Sequence, residues 1–89
     1  MFNERDIGML DRSYFNIVLA ADYDVTVQSK NTGHFWYIHN PEHLGTGACV
    51  IFHKHRASHP YHLHGRARNL HQAVRNIKKH DVFQMNGRR

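Results

Sequence analysis

Histidine accounts for ten of the 89 residues, and half of the histidines lie close together in the second part of the chain. His53, His55, His59, His62 and His64 fall within one twelve-residue window. An imidazole can bind a transition metal, transfer a proton near neutral pH, or carry positive charge beside phosphate. This density therefore indicates chemistry at a site, binding of a polyanion, or both.

Two His-x-His pairs within that window define a possible metal site. On neighbouring strands, such pairs place imidazoles on one face at a spacing that serves zinc or another divalent transition metal. The four candidate ligands are His53, His55, His62 and His64. A metal site is the alternative interpretation of these histidines, because the leading interpretation, binding of nucleic acid, requires no cofactor.

The charge distribution favours an anionic partner. Residues 1–44 contain three Lys or Arg against six acids, whereas residues 45–89 contain nine against one. Such asymmetry predicts salt-sensitive binding of the basic half to nucleic acid, with RNA expected, or to an acidic protein surface. Phe35, Trp36 and Tyr37 offer stacking surfaces where they are exposed, although Trp36 is expected in the core. The predicted nucleic-acid-binding residues are Lys54, Arg56, Arg66, Arg68, His71, Arg75, Lys78 and Lys79.

Length and composition limit the classes of protein to which this chain can belong. A chain of 89 residues makes one domain, 1–89, with a modest core. The single cysteine, Cys49, excludes an internal disulfide framework and a four-cysteine zinc ribbon. No run approaches the roughly 20 apolar residues of a membrane span, and the start lacks the order of a signal peptide. We therefore expect a cytoplasmic protein that does not engage a membrane.

The first half predicts a helix followed by a hairpin. Apolar residues at 14, 17, 18 and 21 have the spacing of a core-facing helix from Ser13 to about Asp22. Within residues 1–12, a turn or short helix is expected around Asn3 to Leu10. Alternation over Asp24–Ser29, turn chemistry at Asn31-Thr32-Gly33, and the aromatic run His34–His39 then predict two paired strands.

The second half predicts one or two further strands and a helix. A loop through Gly45 and Gly47 leads to a third strand, Ala48–His55, and Tyr61–His64 is a short fourth strand that Gly65 ends. Asn69 is a predicted N-cap for a helix reaching about His80. Its apolar stripe is Leu70, Ala73, Val74 and Ile77, and residues 86–89 form a loose tail.

These elements predict an α+β domain of order α-β-β-β-(β)-α, in which two helices cover one face of an antiparallel sheet. If Val50, Phe52 and Leu63 face the helices, the opposite side chains point to the uncovered face. Those side chains are Ile51, His53, His55, His62 and His64.

Two segments resemble the HicA-type mRNA interferase toxins. Thr32-Gly33-His34 and His39-Asn40-Pro41-Glu42 are similar to the family's Gly-Ser-His-His and His-Pro segments, with Phe35 in place of the second histidine. Leu63-His64-Gly65-Arg66 and the helix after it resemble the family's Val-His-Gly and Leu-Arg-x-Ile segments. The resemblance implies a fold like the double-stranded-RNA-binding domain, an antitoxin partner, and metal-independent RNA cleavage with His34 as the catalytic residue.

A protein-directed function remains the other alternative. A small basic domain encoded by a phage or mobile element can block an acidic or nucleic-acid-binding surface of a host defence effector, such as a CRISPR effector. Stoichiometric protein binding without RNA cleavage would distinguish such an inhibitor from a toxin.

Overall fold

The computed structural model describes residue 2, residues 4–41 and residues 48–87. Within these ranges the elements are α1 (Glu4–Gly8), β1 (Phe15–Ala20), β2 (Asp24–Ser29), β3 (Phe35–His39), β4 (Cys49–Lys54), β5 (His62–Ala67) and α2 (Leu70–Gly87). The predicted α+β class with an antiparallel sheet is confirmed, as is the short N-terminal helix. The predicted loop through Gly45 and Gly47 lies outside the described residues.

The five strands follow one another across the sheet in the order β1-β2-β3-β4-β5, and every neighbouring pair is antiparallel. The hairpin predicted from the aromatic run is confirmed as β2 and β3. Its turn contains Gly33 at a φ of 76°, a left-handed conformation that glycine adopts without a steric penalty. The Ser29 amide donates a hydrogen bond of 2.9 Å to the carbonyl oxygen of His34 and closes the turn.

The helix predicted from Ser13 to about Asp22 is wrong, because this segment contains the edge strand β1. Its run of apolar residues includes β-branched Ile17 and Val18, which suit a pleated strand as well as a helix. Pairing with β2 provides the backbone hydrogen bonds. Only Phe15 is fully buried in this strand, and Val18 and Leu19 are exposed. Helical spacing here was a coincidence of a continuous apolar run.

The predicted orientation of β4 is wrong by one residue. Val50 and Phe52 lie on the uncovered face, whereas Ile51 and His53 are buried beneath the helices. The pairing of β3 with β4 sets this orientation, because Ile51 lies opposite buried Ile38 and His53 lies opposite buried Trp36. Since strand side chains alternate with a period of two, a shift of one residue exchanges the two faces completely.

Strand β5 corresponds to the predicted short fourth strand, Tyr61–His64, and is longer than the sequence predicts. It begins at His62 and continues through Gly65, the predicted end, to Ala67. Ile51 pairs with Gly65 and Phe52 pairs with Leu63, so His64 is an extra residue in a bulge. A bulge bends the strand locally and changes the direction of its side chains. Here it lets His64 contact the rings of Trp36 and His80.

The C-terminal helix begins as predicted. The Asn69 side chain accepts a hydrogen bond of 2.8 Å from the Gln72 amide, which is the N-cap interaction. The predicted stripe faces the sheet, with Leu70, Ala73 and Ile77 buried and Val74 packed against them. The helix continues to Gly87, beyond the predicted end at His80, and Asp81 is buried on the same side. Arg88 and Arg89, from the predicted tail, lie outside the described residues.

One core joins the sheet to both helices. Phe2, Ile7 and Leu10 from the α1 region contribute to the same cluster as the inward residues of α2. Both helices therefore lie on one face of the sheet, as predicted, although the first of them is α1 and not the helix expected from Ser13. None of the helices described between residues 4 and 87 has the length and apolar character needed to cross a membrane.

Candidate functional site

The uncovered face of the sheet carries an aromatic surface. We call it the open face, and its central side chains belong to β3 and β4 because these strands lie in the middle of the sheet. Tyr37 lies opposite Phe52, and Phe35 lies opposite Lys54. The aromatic platform on this face consists of Phe35, Tyr37, Phe52 and Tyr61, all partly exposed.

The rings of this platform contact one another and a cation. Tyr37 and Phe52 stack with centroids 5.6 Å apart and an interplanar angle of 25°, and Tyr61 lies 5.9 Å from Tyr37. Lys54 Nζ lies 4.4 Å from the Tyr61 ring centroid and 5.5 Å from that of Phe35. The platform therefore combines flat apolar surfaces with a positive charge held between them, the pairing that stacks bases and neutralises phosphate.

A hydrogen-bonded group borders the platform on its β2 side. His39 Nδ1 lies 2.9 Å from Asp24 Oδ1, and the Tyr37 hydroxyl donates to the same carboxylate oxygen. The hydrogen bonds from Tyr37 and His39 lower the pKa of Asp24. Burial and the Asp24 carboxylate raise the pKa of Tyr37 to about 12. Asp24 is therefore an ionised acceptor and Tyr37 a neutral donor at pH 7.

The predicted nucleic-acid-binding residues lie on two surfaces. Lys54 is on the open face, Arg66 lies opposite Val50 of that face, and exposed Arg56 follows β4. The second surface is the outer side of α2, with exposed Arg68 just before its start. It carries His71, Arg75, Lys78 and Lys79.

Lys78 differs from the other cations of α2, because its ammonium group contacts residues from the segment before β1. Its Nζ lies 3.1 Å from Asp11 Oδ2 and 4.9 Å from the centroid of the Tyr14 ring. Hydrogen bonds from Ser13 and Lys78 lower the pKa of Asp11 to about 2, so the carboxylate stays charged. This carboxylate offsets part of the positive charge that α2 presents to a polyanion.

A group of histidines lies on the covered face, between the sheet and the second half of α2. We call it the histidine cluster, and its members are His34, His53, His55, His64 and His80. The closest nitrogen atoms are His34 Nδ1 and His53 Nε2, at 3.1 Å. The rings of His34 and His55 stack at 4.3 Å with an interplanar angle of 14°.

Packing determines the protonation of two members of this cluster, His53 and His64. His53 is 4% exposed and stacks on Trp36 at 4.0 Å. Burial, together with the neighbouring imidazoles of His34 and His55, lowers the pKa of His53 to about 3. Desolvation and the nearby ring of His80 also lower the pKa of His64, although its outer side is exposed. These two imidazoles are therefore neutral at pH 7 and add no charge for binding phosphate.

A buried carboxylate supports the turn that presents His34. Asp81 of α2 is fully buried and accepts hydrogen bonds of 2.7 Å from the Tyr14 hydroxyl and 3.2 Å from Thr32 Oγ1. Thr32 Oγ1 also accepts the amide hydrogen of His34 at 3.3 Å. Sequence reasoning missed Asp81, whose only available signal was its position four residues after Ile77 on the buried stripe.

The structure changes the set of histidines that can share one metal ion. Ligand nitrogens of His34, His53 and His55 all lie within 4.8 Å of one another. His62 is exposed on the edge strand, and His64 points towards His80. Sequence reasoning missed His34 as a ligand, although pairing of Trp36 with His53 would have indicated it. Because the strands are antiparallel, that pairing places His34, two residues before Trp36, next to His55, two residues after His53.

The resemblance to HicA toxins assigns catalysis to His34. This side chain is only 7% exposed, and its Nδ1 lies against His53 Nε2. An RNA 2′-hydroxyl has little access to the ring in this arrangement. Catalysis by His34 stays a prediction.

Comparison with protein-family models, with curated proteins and with solved structures finds no significant match.

Proposed function

We propose that this protein binds single-stranded RNA on the open face of its sheet. The observation that carries the proposal is the aromatic platform, whose rings are available for stacking around Lys54. Single-stranded nucleic acids bind such surfaces because every base has an aromatic face and every phosphate attracts a cation.

The charged side chains around the platform support binding of RNA on this face. Arg66 on β5 lies opposite Val50, and exposed Arg56 follows the end of β4, so both cations belong to the β4–β5 side of the sheet and can neutralise phosphates there. Arg66 also lines a cavity with Lys79 and Phe83 of α2. Asp24 and His39 lie on the other side and offer acceptors. In the neutral tautomer that donates Nδ1–H to Asp24, the Nε2 atom of His39 accepts hydrogen bonds. The 2′-hydroxyl is the donor that RNA has and DNA lacks, so this side favours RNA.

The outer side of α2 is the competing RNA-binding surface. It carries Arg75 and Lys79, both exposed, but has no counterpart of the aromatic platform among the described residues, where Phe83 stands alone as an exposed ring. Cations without stacking surfaces support non-specific attraction of a polyanion. We assign α2 the role of steering RNA and the open face the role of binding it.

The test is a fluorescence-anisotropy titration of untagged protein with a labelled, unstructured RNA of about 12 nucleotides, a length within the usual site sizes. Replacing Tyr37 or Phe52 with alanine should weaken binding about tenfold, since one base stack contributes about 1–3 kcal/mol. Phe83→Ala is the matched control, because Phe83 is an aromatic side chain of α2 that is 68% exposed. It should leave affinity unchanged.

Two outcomes would contradict the proposal. Equal losses for Phe52→Ala and Phe83→Ala would show that the open face has no special role. Failure of the unaltered protein to bind RNA, with circular dichroism showing a folded chain, would direct attention to a protein partner. A denaturing gel of the same mixtures in EDTA, with His34→Ala alongside, tests the cleavage predicted from the HicA resemblance.

A further inference from the structure

Three imidazoles of the histidine cluster converge in the manner of metal ligands. His34 Nδ1 and His53 Nε2 are 3.1 Å apart, and one ring nitrogen from each of His34, His53 and His55 lies within 4.8 Å of the other two. Zinc–nitrogen bonds of about 2.0–2.1 Å in a tetrahedral site separate two ligand nitrogens by about 3.3 Å. The separation of the buried pair is therefore close to the one that a zinc ion requires. Binding turns both rings so that their lone pairs point at the ion, and it brings the third imidazole closer.

The fold holds the two buried members of this trio in place. The His53 ring is stacked on Trp36, and the His34 backbone is bonded to Thr32, whose hydroxyl in turn bonds to buried Asp81. A site with ligands fixed before the ion arrives loses little conformational freedom on binding. His55 is exposed after the end of β4, so its imidazole can adjust and the ion has a path from solvent.

We propose that His34, His53 and His55 bind one divalent transition metal ion, with zinc as the preferred ion and one coordination position left open. Imidazole nitrogens select zinc and its neighbours over magnesium and calcium, which prefer oxygen. Three protein ligands with an open fourth position characterise zinc sites that hold a water molecule or a substrate oxygen. One of the two facing nitrogens carries the proton of the hydrogen bond between His34 and His53. When the ion binds, that imidazole changes tautomer and holds its proton on its other ring nitrogen, so the hydrogen bond is replaced by two metal bonds.

This site is separate from the RNA surface proposed above. His34 and His53 lie on the covered side of β3 and β4, whereas the aromatic platform lies on the open side of the same strands. The metal proposal therefore stands or falls independently of RNA binding. It also differs from the set expected from sequence, because His34 replaces His62 and His64.

The experiment is a titration of untagged, EDTA-stripped and desalted protein with Co²⁺, followed by visible spectroscopy, and with Zn²⁺, followed by calorimetry. We expect one equivalent to bind, with the intense visible bands of tetrahedral Co²⁺. His55→Ala should weaken Zn²⁺ binding at least about tenfold without unfolding the chain, because His55 is exposed. His59→Ala and His62→Ala are the matched controls and should bind as the unaltered protein does.

Three results would overturn the proposal: no tetrahedral Co²⁺ spectrum, Zn²⁺ binding that His55→Ala leaves unchanged, or a loss confined to His62→Ala. A second variant, His34→Gln, tests the role of a buried ligand. Glutamine is also polar, so the replacement removes the imidazole without placing an apolar side chain at this position. Its thermal unfolding is measured with and without Zn²⁺, since an ion bound to the native state raises the melting temperature. We expect that rise in the unaltered protein and its loss in His34→Gln; a rise retained by the variant would exclude His34.

Discussion

The two faces of strands β3 and β4 have opposite chemistry although their residues alternate along the same short segments. The inward positions hold Trp36, Ile38, Ile51 and His53, which are all buried. The outward positions hold Phe35, Tyr37, Phe52 and Lys54, which are all partly exposed. Two short strands can therefore contribute to a packed core and to a binding surface at once, because the pleat places neighbouring side chains on different faces.

Burial on the covered face also changes what the high density of histidines contributes to the protein. In the sequence, the histidines near Lys54 and Arg56 suggest a surface that becomes more positive as pH falls. In the structure, His53 is buried and has its pKa lowered to about 3, so it contributes no charge near neutral pH. The positive charge of the open face comes from lysine and arginine, and the buried histidines offer lone pairs instead.

The largest expected effect is a loss of stability on replacing Trp36, compared with its neighbour Phe35 on the opposite face. Trp36 is fully buried, stacks on His53 and donates a hydrogen bond of 3.2 Å from Nε1 to Ser29 Oγ. Trp36→Ala should lower the free energy of unfolding by about 3–5 kcal/mol, measured by urea denaturation. Phe35→Ala, on the open face, should cost clearly less. Equal losses would mean that the two faces are not distinct in packing.

The next effect concerns the two basic surfaces. Lys54→Ala combined with Arg66→Ala should weaken RNA binding several-fold and reduce the slope of log affinity against log salt by about 1.4, since each phosphate left without its cation accounts for about 0.7. Arg75→Ala combined with Lys79→Ala removes the same charge from α2 and is the matched control. It should leave most of the affinity at moderate salt. A greater weakening by the α2 pair would place the binding surface there.

The smallest expected effect is the pH dependence of stability in the presence of EDTA. The pKa of His53 is about 3 in the folded chain and near 6.5 in the unfolded chain. Below pH 6.5 the unfolded chain therefore binds a proton that the native state does not, and stability falls as pH drops towards 3. Urea midpoints at pH 7.5 and pH 5.0 measure this decrease, which His53→Gln should reduce. An unchanged pH dependence in the variant would assign the decrease to other groups.

Local signals predicted the parts of the fold that depend on neighbouring residues in the chain. The turn at Gly33 and the N-cap at Asn69 follow from conformational and hydrogen-bonding preferences of single side chains, and both are present. The stripe of α2 was predictable for the same reason, since its period is regular. These features need no knowledge of the rest of the sheet.

The orientation of β4 depended on distant residues, and this is why it was predicted incorrectly. Cys49, Val50, Ile51 and Phe52 are all apolar, so neither alternating set is favoured by its own sequence. The pairing with β3 decides the orientation and also brings His34 next to His55. The helix predicted from Ser13 failed for a similar reason, because pairing with β2 determined the structure of an ambiguous apolar run. The candidate metal ligands could be identified only after the strand register was known.

The most direct test of the two-face account is an NMR titration of isotopically labelled protein with the same single-stranded RNA. We predict shifts and broadening for the ring resonances of Phe35, Tyr37, Phe52 and Tyr61, with the imidazole resonances of His34 and His53 unchanged. Shifts confined to the outer side of α2, with unperturbed platform rings, would contradict the assignment of RNA binding to the open face.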